Sequence, residues 1–476
     1  MKKAAIIPAM TLSLVMLASC DLFPDFNLNN NNGFDNLPDT LEEGFFYARN
    51  MKNSSFYVVE AKKLYEGGKC EIWAEIVNSE VTVTETEARK IADEYDGIIR
   101  PRILAAFGSD DIDILDYANE LAGRNNKKLT ILLLDIKDGY KTKADSFVAG
   151  YFFQVDFLKK GKYSSYCSNG RDMIYVDTNP GLKDAPKQAY ATFAHELQHL
   201  VNYVTRRRLD ITGSVDTWIN EGLSAYAEYL YLEKNPEEKC VWLIDKRNTV
   251  KTGNNFFVWD NHSSEPYAIM DDYATVYLFF RWLYLQADTN LQQRIFREIT
   301  RSPFNDYRAV TTVVGEDWED LLGTWLAANH DPKNAVYGYR DDPYLQDGYG
   351  SAYYPSFKGI RATPIKDSER SLYPGEGVYS IIDDTYNAVR EGNIRYGLLD
   401  GTTSAAKMLL TFNANTNNAK TTPAETGSLT GVSPSITVSR TAAEDLQSVE
   451  WNGPFVIDAQ DVWGRNQDEP IRLLRR

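Results

Sequence analysis

At 476 residues, with 43% hydrophobic and 13% aromatic content and 30 tyrosines, the chain has the makeup of a folded protein with more than one core, not of a disordered one. A formal charge of −16 excludes nucleic acid as a partner, because phosphate binding depends on clustered Lys and Arg. The compact basic run Arg206 to Arg208 reads as a solvated helix end.

At the N-terminus, Lys2 and Lys3 precede an apolar stretch, Ala4 to Met16, that is too short to span a bilayer as a mature helix. It ends in Leu17, Ala18, Ser19 and Cys20 and resembles a bacterial lipoprotein signal. The resemblance implies that residues 1–19 are removed and that Cys20 is lipidated. The protein would then be held to a bacterial membrane, facing the periplasm or the cell exterior. Residues 20–40, including "FNLNNNNGFDNLPD", lack apolar periodicity and read as a flexible tether. The apolar run from Tyr277 to Leu285 is broken by Arg281, so no second segment reads as transmembrane. Cys70, Cys167 and Cys240 allow at most one internal disulfide.

From Tyr57, "YVVEAKKLYEGGKCEIWAEI" reads as two strands around a Gly-Gly turn, and "TETEARKIADEYDGIIRPRILAAFG" has helical spacing. "KLTILLLDI" is a buried strand, and "SFVAGYFFQVDF" and "RDMIYVDT" are further strands. Residues 41–183 therefore form a mixed α/β part. Residues 184–345 are mostly helical, with aromatic-rich segments such as "DDYATVYLFFRWLYLQ" and "EDWEDLLGTWLAANH". Residues 354–476 carry short alternating runs ("GVYSIID", "IRYGLLD", "KMLLTFNA", "SITVSRT", "PFVIDA") between Gly, Pro, Asn and Thr clusters, the pattern of an all-β accessory domain. The class is α+β.

The stretch "ATFAHELQHLVNY" holds two of the four histidines. With Asp184 as N-cap and Pro186 in the first turn, Tyr190, Phe193, Ala194, Leu197, Val201 and Val204 fall on one helical stripe. His195 and His199 point away from it, toward a cleft. Spacing of i and i+4 stacks the two imidazoles so that both can reach one tetrahedral ion, and Glu196 lies beside them, able to take a proton from an activated water. A third ligand is expected from "DTWINEGLSAYAEYL". There Asp216 or Thr217 caps a second helix, Glu221 falls away from the apolar side, and Gly222 permits close helix approach.

"HELQHLVNY" followed by "WINEGLSAYAE" resembles the gluzincin metallopeptidases, and most of all the hyicolysin family; the likeness extends from about Val81 to Ala328. It implies a zincin-like core in which a mixed-sheet subdomain precedes a helical one. It also implies Zn2+ held by His195, His199 and Glu221, with Glu196 as general base, and hydrolysis of protein or peptide substrates. Thermolysin-like enzymes place an Asp four residues after the ligand Glu, where this chain has Ala225, so the imidazoles need another support, such as Glu228 or a backbone carbonyl. The metzincin pattern with a third His is absent.

An oxyanion donor is expected past the third ligand. Tyr273 matches the family segment, with His262 as runner-up, whereas His330 reads as a helix-end dipole partner. No Gly-x-Met-Glu-Asn motif is present, which favours an endopeptidase, with "AGYFFQVDF" as a candidate edge for an extended substrate. The rival reading is a zinc-binding surface lipoprotein, adhesin or binding protein, without turnover.

Overall fold

The computed structural model describes residues 15–16, 36–142, 147–163, 166–184, 186–236, 239–240, 256–257, 269–346, 374–375, 377–382, 394–403, 406–416 and 455–456. Cys20, His262, nearly all of the signal and tether, and most of residues 354–476 lie outside them. The chain divides into two compact units, Met1–Pro101 with Leu115–Leu200, and Arg102–Ile114 with Val201–Arg476.

The first unit is built on a mixed sheet. Strands β1 (Phe45–Arg49), β2 (Phe56–Glu66), β3 (Cys70–Val77), β4 (Glu80–Val81), β5 (Leu129–Leu134), β6 (Gly150–Phe152) and β7 (Met173–Asp177) are arranged in the order β1-β2-β3-β5-β7-β6, with β4 beside β3. Pairing is antiparallel for β1/β2, β2/β3 and β7/β6, and parallel for β3/β5 and β5/β7. "LTILLL" takes a central place because every one of its residues is buried, as a strand covered on both faces requires.

The Gly-Gly turn between β2 and β3 is closed from outside the hairpin. The Asp96 carboxylate accepts from the backbone of Gly68 at 2.6 Å and of Lys69 at 3.1 Å. The crossover from β3 to β5 runs through α1 (Glu85–Glu94), a five-residue π-helical segment at Tyr95–Ile99, α2 (Arg100–Phe107) and α3 (Ile114–Leu121). Thr84 and Glu87 form a reciprocal capping box at the start of α1, which satisfies two backbone donors that would otherwise have no intrahelical partner.

The run "SFVAGYFFQVDF" is less strand than its pattern suggests. β6 stops at Phe152, and Gln154–Phe157 turn as a 3-10 segment. The turn carries Asp156 inside, where its oxygens accept from the Tyr175 hydroxyl at 2.6 Å and the Asn169 backbone at 2.7 Å. Tyr151 and Tyr175 stack there with centroids 4.1 Å apart. Cys70, Cys167 and Cys240 are buried thiols outside any disulfide, and burial pushes Cys167 up to about 12, well away from thiolate reactivity.

Helix α4 (Pro186–Arg208) carries the chain from the first unit into the second. Its approach differs from the sequence expectation, because residues 183–184 are already helical and Asp184 is not the cap. Asp177 caps the preceding π-helical segment Thr178–Leu182 instead, accepting from Gly181 at 2.8 Å, and its other oxygen accepts from Ile136 at 3.1 Å. Desolvation pushes Asp177 up to about 7.

The second unit contains α5 (Thr217–Leu232), α6 (Ile269–Gln286), α7 (Ile295–Thr300), α8 (Arg308–Val314) and α9 (Trp318–His330). Trp218 packs against Phe256, Phe280 and Trp318, with centroids 5.4, 5.9 and 5.3 Å away. Gly222 does allow a close helix approach, but the partner is α6: a Cβ at this position would overlap the Phe280 ring. Arg206 also departs from the expected solvated end. It is buried, with its guanidinium donating to the carbonyls of Thr300, the last residue of α7, and Ser302 beyond it, and to the side chain of Asn305. Carbonyls exposed at a helix end attract a cation, which is why this arginine turns inward.

The described part of the C-terminal region forms a four-stranded sheet of β8 (Gly377–Ile382), β9 (Ile394–Thr403), β10 (Ala406–Asn413) and β11 (Phe455–Val456), in the order β8-β10-β9-β11. It lies in the same compact unit as α5 to α9. Gly377 meets Leu326 of α9 at a distance that leaves no space for a side chain, and Arg395 pairs with Glu319.

Burial raises Asp156 from its ordinary 3.8 to about 7, against the lowering effect of its Tyr175 and Asn169 hydrogen bonds. Between those values the folded state keeps a proton that the unfolded state releases, so stability from this group is complete below about pH 4 and is lost as pH rises to about 7. Asp156→Asn should therefore gain stability relative to the parent as pH rises from about 4.5 to about 7.5 in denaturant unfolding. A difference that does not change with pH would contradict the assignment.

Candidate metal centre

Every residue of helix α4 from Ala191 to Asn202 is buried, none more than 5% exposed. The apolar stripe predicted from Phe193, Ala194, Leu197, Val201 and Val204 is there, but the opposite side is equally covered, so the histidines do not look into open solvent. His195 and His199, one turn apart, have ring centroids separated by 4.8 Å and ring planes at 76°. Edge-to-face rings with tips converging is the arrangement that lets two imidazoles bind one ion from successive turns.

Glu221 comes from the first turns of α5, which starts after Asp216. The Asp216 carbonyl accepts from Ile219 at 3.0 Å and from Asn220 at 3.1 Å, while its side chain makes no capping bond. The ligand-capable atoms of His195, His199 and Glu221 all lie within 4.8 Å of one another, and all three residues are buried. The Nε2 atoms of both imidazoles and both oxygens of Glu196 and Glu221 are sealed from solvent. Two imidazole nitrogens and a carboxylate, converging in a buried interior, are the donor types that a catalytic zinc site uses. Among the described residues no other group of three or more His, Cys, Asp or Glu side chains is so placed.

Glu196 sits between the two histidines on α4, and strand β6 makes room for it. A Cβ on Gly150 would stand 2.7 Å from Thr192 Cγ2, 2.8 Å from the Tyr175 carbonyl oxygen and 3.4 Å from Glu196 Cγ. A glycine at the start of a strand whose other residues are aromatic is the sign, missed in the sequence, of this close passage.

Tyr273 is buried near the start of α6, and the Lys239 ammonium lies 5.6 Å from its ring centroid. The same ammonium is 3.1 Å from Glu228, two turns beyond Glu221 on α5. Burial raises Glu228, and Lys239 works in the opposite direction. Glu228, expected as a candidate support for an imidazole, thus has a lysine as a partner, which "EKNPEEKC" did not disclose because nothing in that segment marks one lysine as inward-facing. A second feature not read from the sequence joins the two helices: Asn202 Nδ2 donates to Asn220 Oδ1 at 2.7 Å.

No protein-family model matches the chain. It is similar to the neutral metalloprotease ShpI of Staphylococcus hyicus, with 28% identity over 346 residues and 69% of each chain covered. Together with the buried His-His-Glu cluster, this similarity supports a metal-dependent protease.

Gly150→Ala should crowd Thr192 and Glu196 without touching His195, His199 or Glu221. The expected outcome is a kcat lowered by about ten- to a hundredfold with metal stoichiometry unchanged, because displacement of a reacting group by a fraction of an ångström is costly. Parental kcat in this variant would contradict the close packing of Glu196 on β6.

Proposed function

We propose that the chain is a zinc-dependent endopeptidase of the gluzincin type. In this reading it has a zincin-like core, is held to a bacterial membrane by lipid on Cys20, and acts on protein or peptide substrates outside the cytoplasm. The observation that carries the proposal is the set of three buried donors, His195, His199 and Glu221, gathered within 4.8 Å. The similarity to a neutral metalloprotease supports the reaction class. The sequence "LASC" at residues 17–20 is the support for the anchor.

A bound zinc ion supplies Lewis acidity, polarising the scissile carbonyl and making water a better nucleophile near neutral pH. The imidazoles of His195 and His199 and the Glu221 carboxylate would hold that ion. Glu196, on the same helical turn, accepts the proton of the attacking water and passes it to the departing amine. Its sealed position favours this work, because a carboxylate away from bulk solvent keeps its proton for the leaving group. Tyr273 donates its hydroxyl proton in a hydrogen bond to the carbonyl oxygen as negative charge grows there. The Lys239 ammonium lies 5.6 Å from the centroid of the Tyr273 ring. Strand β6, at the end of the strand order and antiparallel to β7, offers its outer edge to an extended substrate.

Glu196→Gln should keep one zinc per chain and lower the cleavage rate of an unstructured protein by about a hundred- to ten-thousandfold, the usual contribution of a general base. His195→Ala should lose both zinc and activity. If Glu196→Gln cleaves at the parental rate, or proteolysis survives complete metal removal, the proposal fails.

A further inference from the structure

We infer that the amide pair Asn202–Asn220 is a positioning clamp for the metal centre, fixing the rotation and axial register of α5 against α4 so that Glu221 meets the two imidazoles. The inference rests on the metal-centre reading above.

Asn202 lies three residues beyond His199 on α4, and Asn220 lies immediately before Glu221 on α5, so each amide is tied by less than one helical turn to a metal-ligand candidate. The Asn202 Nδ2 to Asn220 Oδ1 bond is 2.7 Å long, and the two residues are only 4% and 7% exposed. Their neighbours on the two helices, Leu200, Val201 and Val204 on one and Trp218, Ile219 and Leu223 on the other, are apolar and buried. Apolar burial is non-directional and tolerates slippage between neighbouring helices. A buried amide-to-amide bond tolerates little, because a break leaves donor and acceptor away from water. One such polar pair in an apolar setting is known to fix helix register at some expense in stability.

A register device of this kind answers a need set by the ligand geometry. His195 and His199 are fixed to each other by one helix, whereas Glu221 arrives on another and is correct only if α5 is neither rotated nor shifted. The residue next to Glu221 in the chain is the one held, so motion at the bond is transmitted to the carboxylate through a single peptide unit. Asn202 and Asn220 touch neither substrate nor reacting atoms in this account and act only through Glu221.

The test uses the full chain and zinc itself, with affinity measured by competition against a chromogenic chelator and thermal melting of the metal-free protein measured in parallel. Asn202→Ala and Asn220→Ala should each weaken zinc binding by about ten- to a hundredfold, the range typical of groups that orient ligands. The double variant should be no weaker than either single one, because one bond is lost in all three. Lower melting temperatures with unchanged zinc affinity would make the pair a packing feature and overturn the clamp. If the alanine variants do not fold, the same comparison is made with Asn202→Asp, Asn220→Asp and their combination. Asn220→Asp keeps an acceptor opposite the Asn202 amide, and Asn202→Asp regains a donor once the Asn220 amide turns over, so each single change should retain affinity, whereas the combination sets two carboxylates face to face and should lose it. Equal affinity across that series would also overturn the clamp. Absence of zinc from the parent chain would sink the metal centre and the clamp together, whereas tight parental binding with unaltered variants would sink the clamp alone.

Discussion

Everything at the site follows from gathering the Glu221 carboxylate and two imidazole tips within 4.8 Å of one another in a region closed to solvent. Removing a carboxylate from water is costly unless positive charge or strong donors meet it, and a divalent cation held there would supply the former. The same ion would accept lone pairs from both imidazoles. The donor set also explains the fold around it. Two ligands from one helix need no tertiary adjustment, but the third requires a second helix at a fixed angle and depth, and much of the surrounding packing serves that second helix. Trp218, one turn before Glu221, is wedged among Phe256, Phe280 and Trp318, and Gly222, one residue after it, lies flush against Phe280.

The i, i+4 histidines and the Asn-Glu-Gly helix start are local patterns that depend only on helical geometry, and the structure gathers His195, His199 and Glu221 as that geometry predicts. The strands "LTILLL" and "MIYVD" were legible because a doubly covered strand has no polar alternation to hide. What could not be read depends on distant partners. Gly222 looked like a spacer toward the histidine helix and proved to be one toward α6, since a glycine announces a close approach without naming what approaches. Asp184 had the position of an N-cap, but the π-helical Thr178–Leu182 begins the helical path earlier, and Asp177 takes the capping role. Arg206 stood in a basic run that resembled a solvated end and is instead drawn inward by the carbonyls at the end of α7 and beyond it. The Lys239–Glu228 pair and the Asn202–Asn220 bond join residues 11 and 18 positions apart, with no periodicity to betray either contact.

The alternating pattern of the C-terminal run suggested an all-β accessory domain. Its described portion is a four-stranded sheet in the compact unit that holds α5 to α9. Gly377 against Leu326 and Arg395 with Glu319 tie that sheet to α9, whose Trp318 belongs to the aromatic group around Trp218. A chain of contacts therefore runs from the sheet through α9 to the start of α5. Stability at the C-terminal end and correct placement of the third donor are parts of one packing problem.

The central claim is that one zinc ion is held by two imidazoles and a carboxylate. X-ray absorption of the full chain loaded with one equivalent of zinc tests it most directly. The account predicts only nitrogen and oxygen neighbours at about 2.0–2.2 Å, two of them imidazole, with His199→Ala either losing the zinc or keeping it with a single imidazole neighbour. A sulfur shell near about 2.3 Å, or two imidazole neighbours still present in that variant, would contradict it.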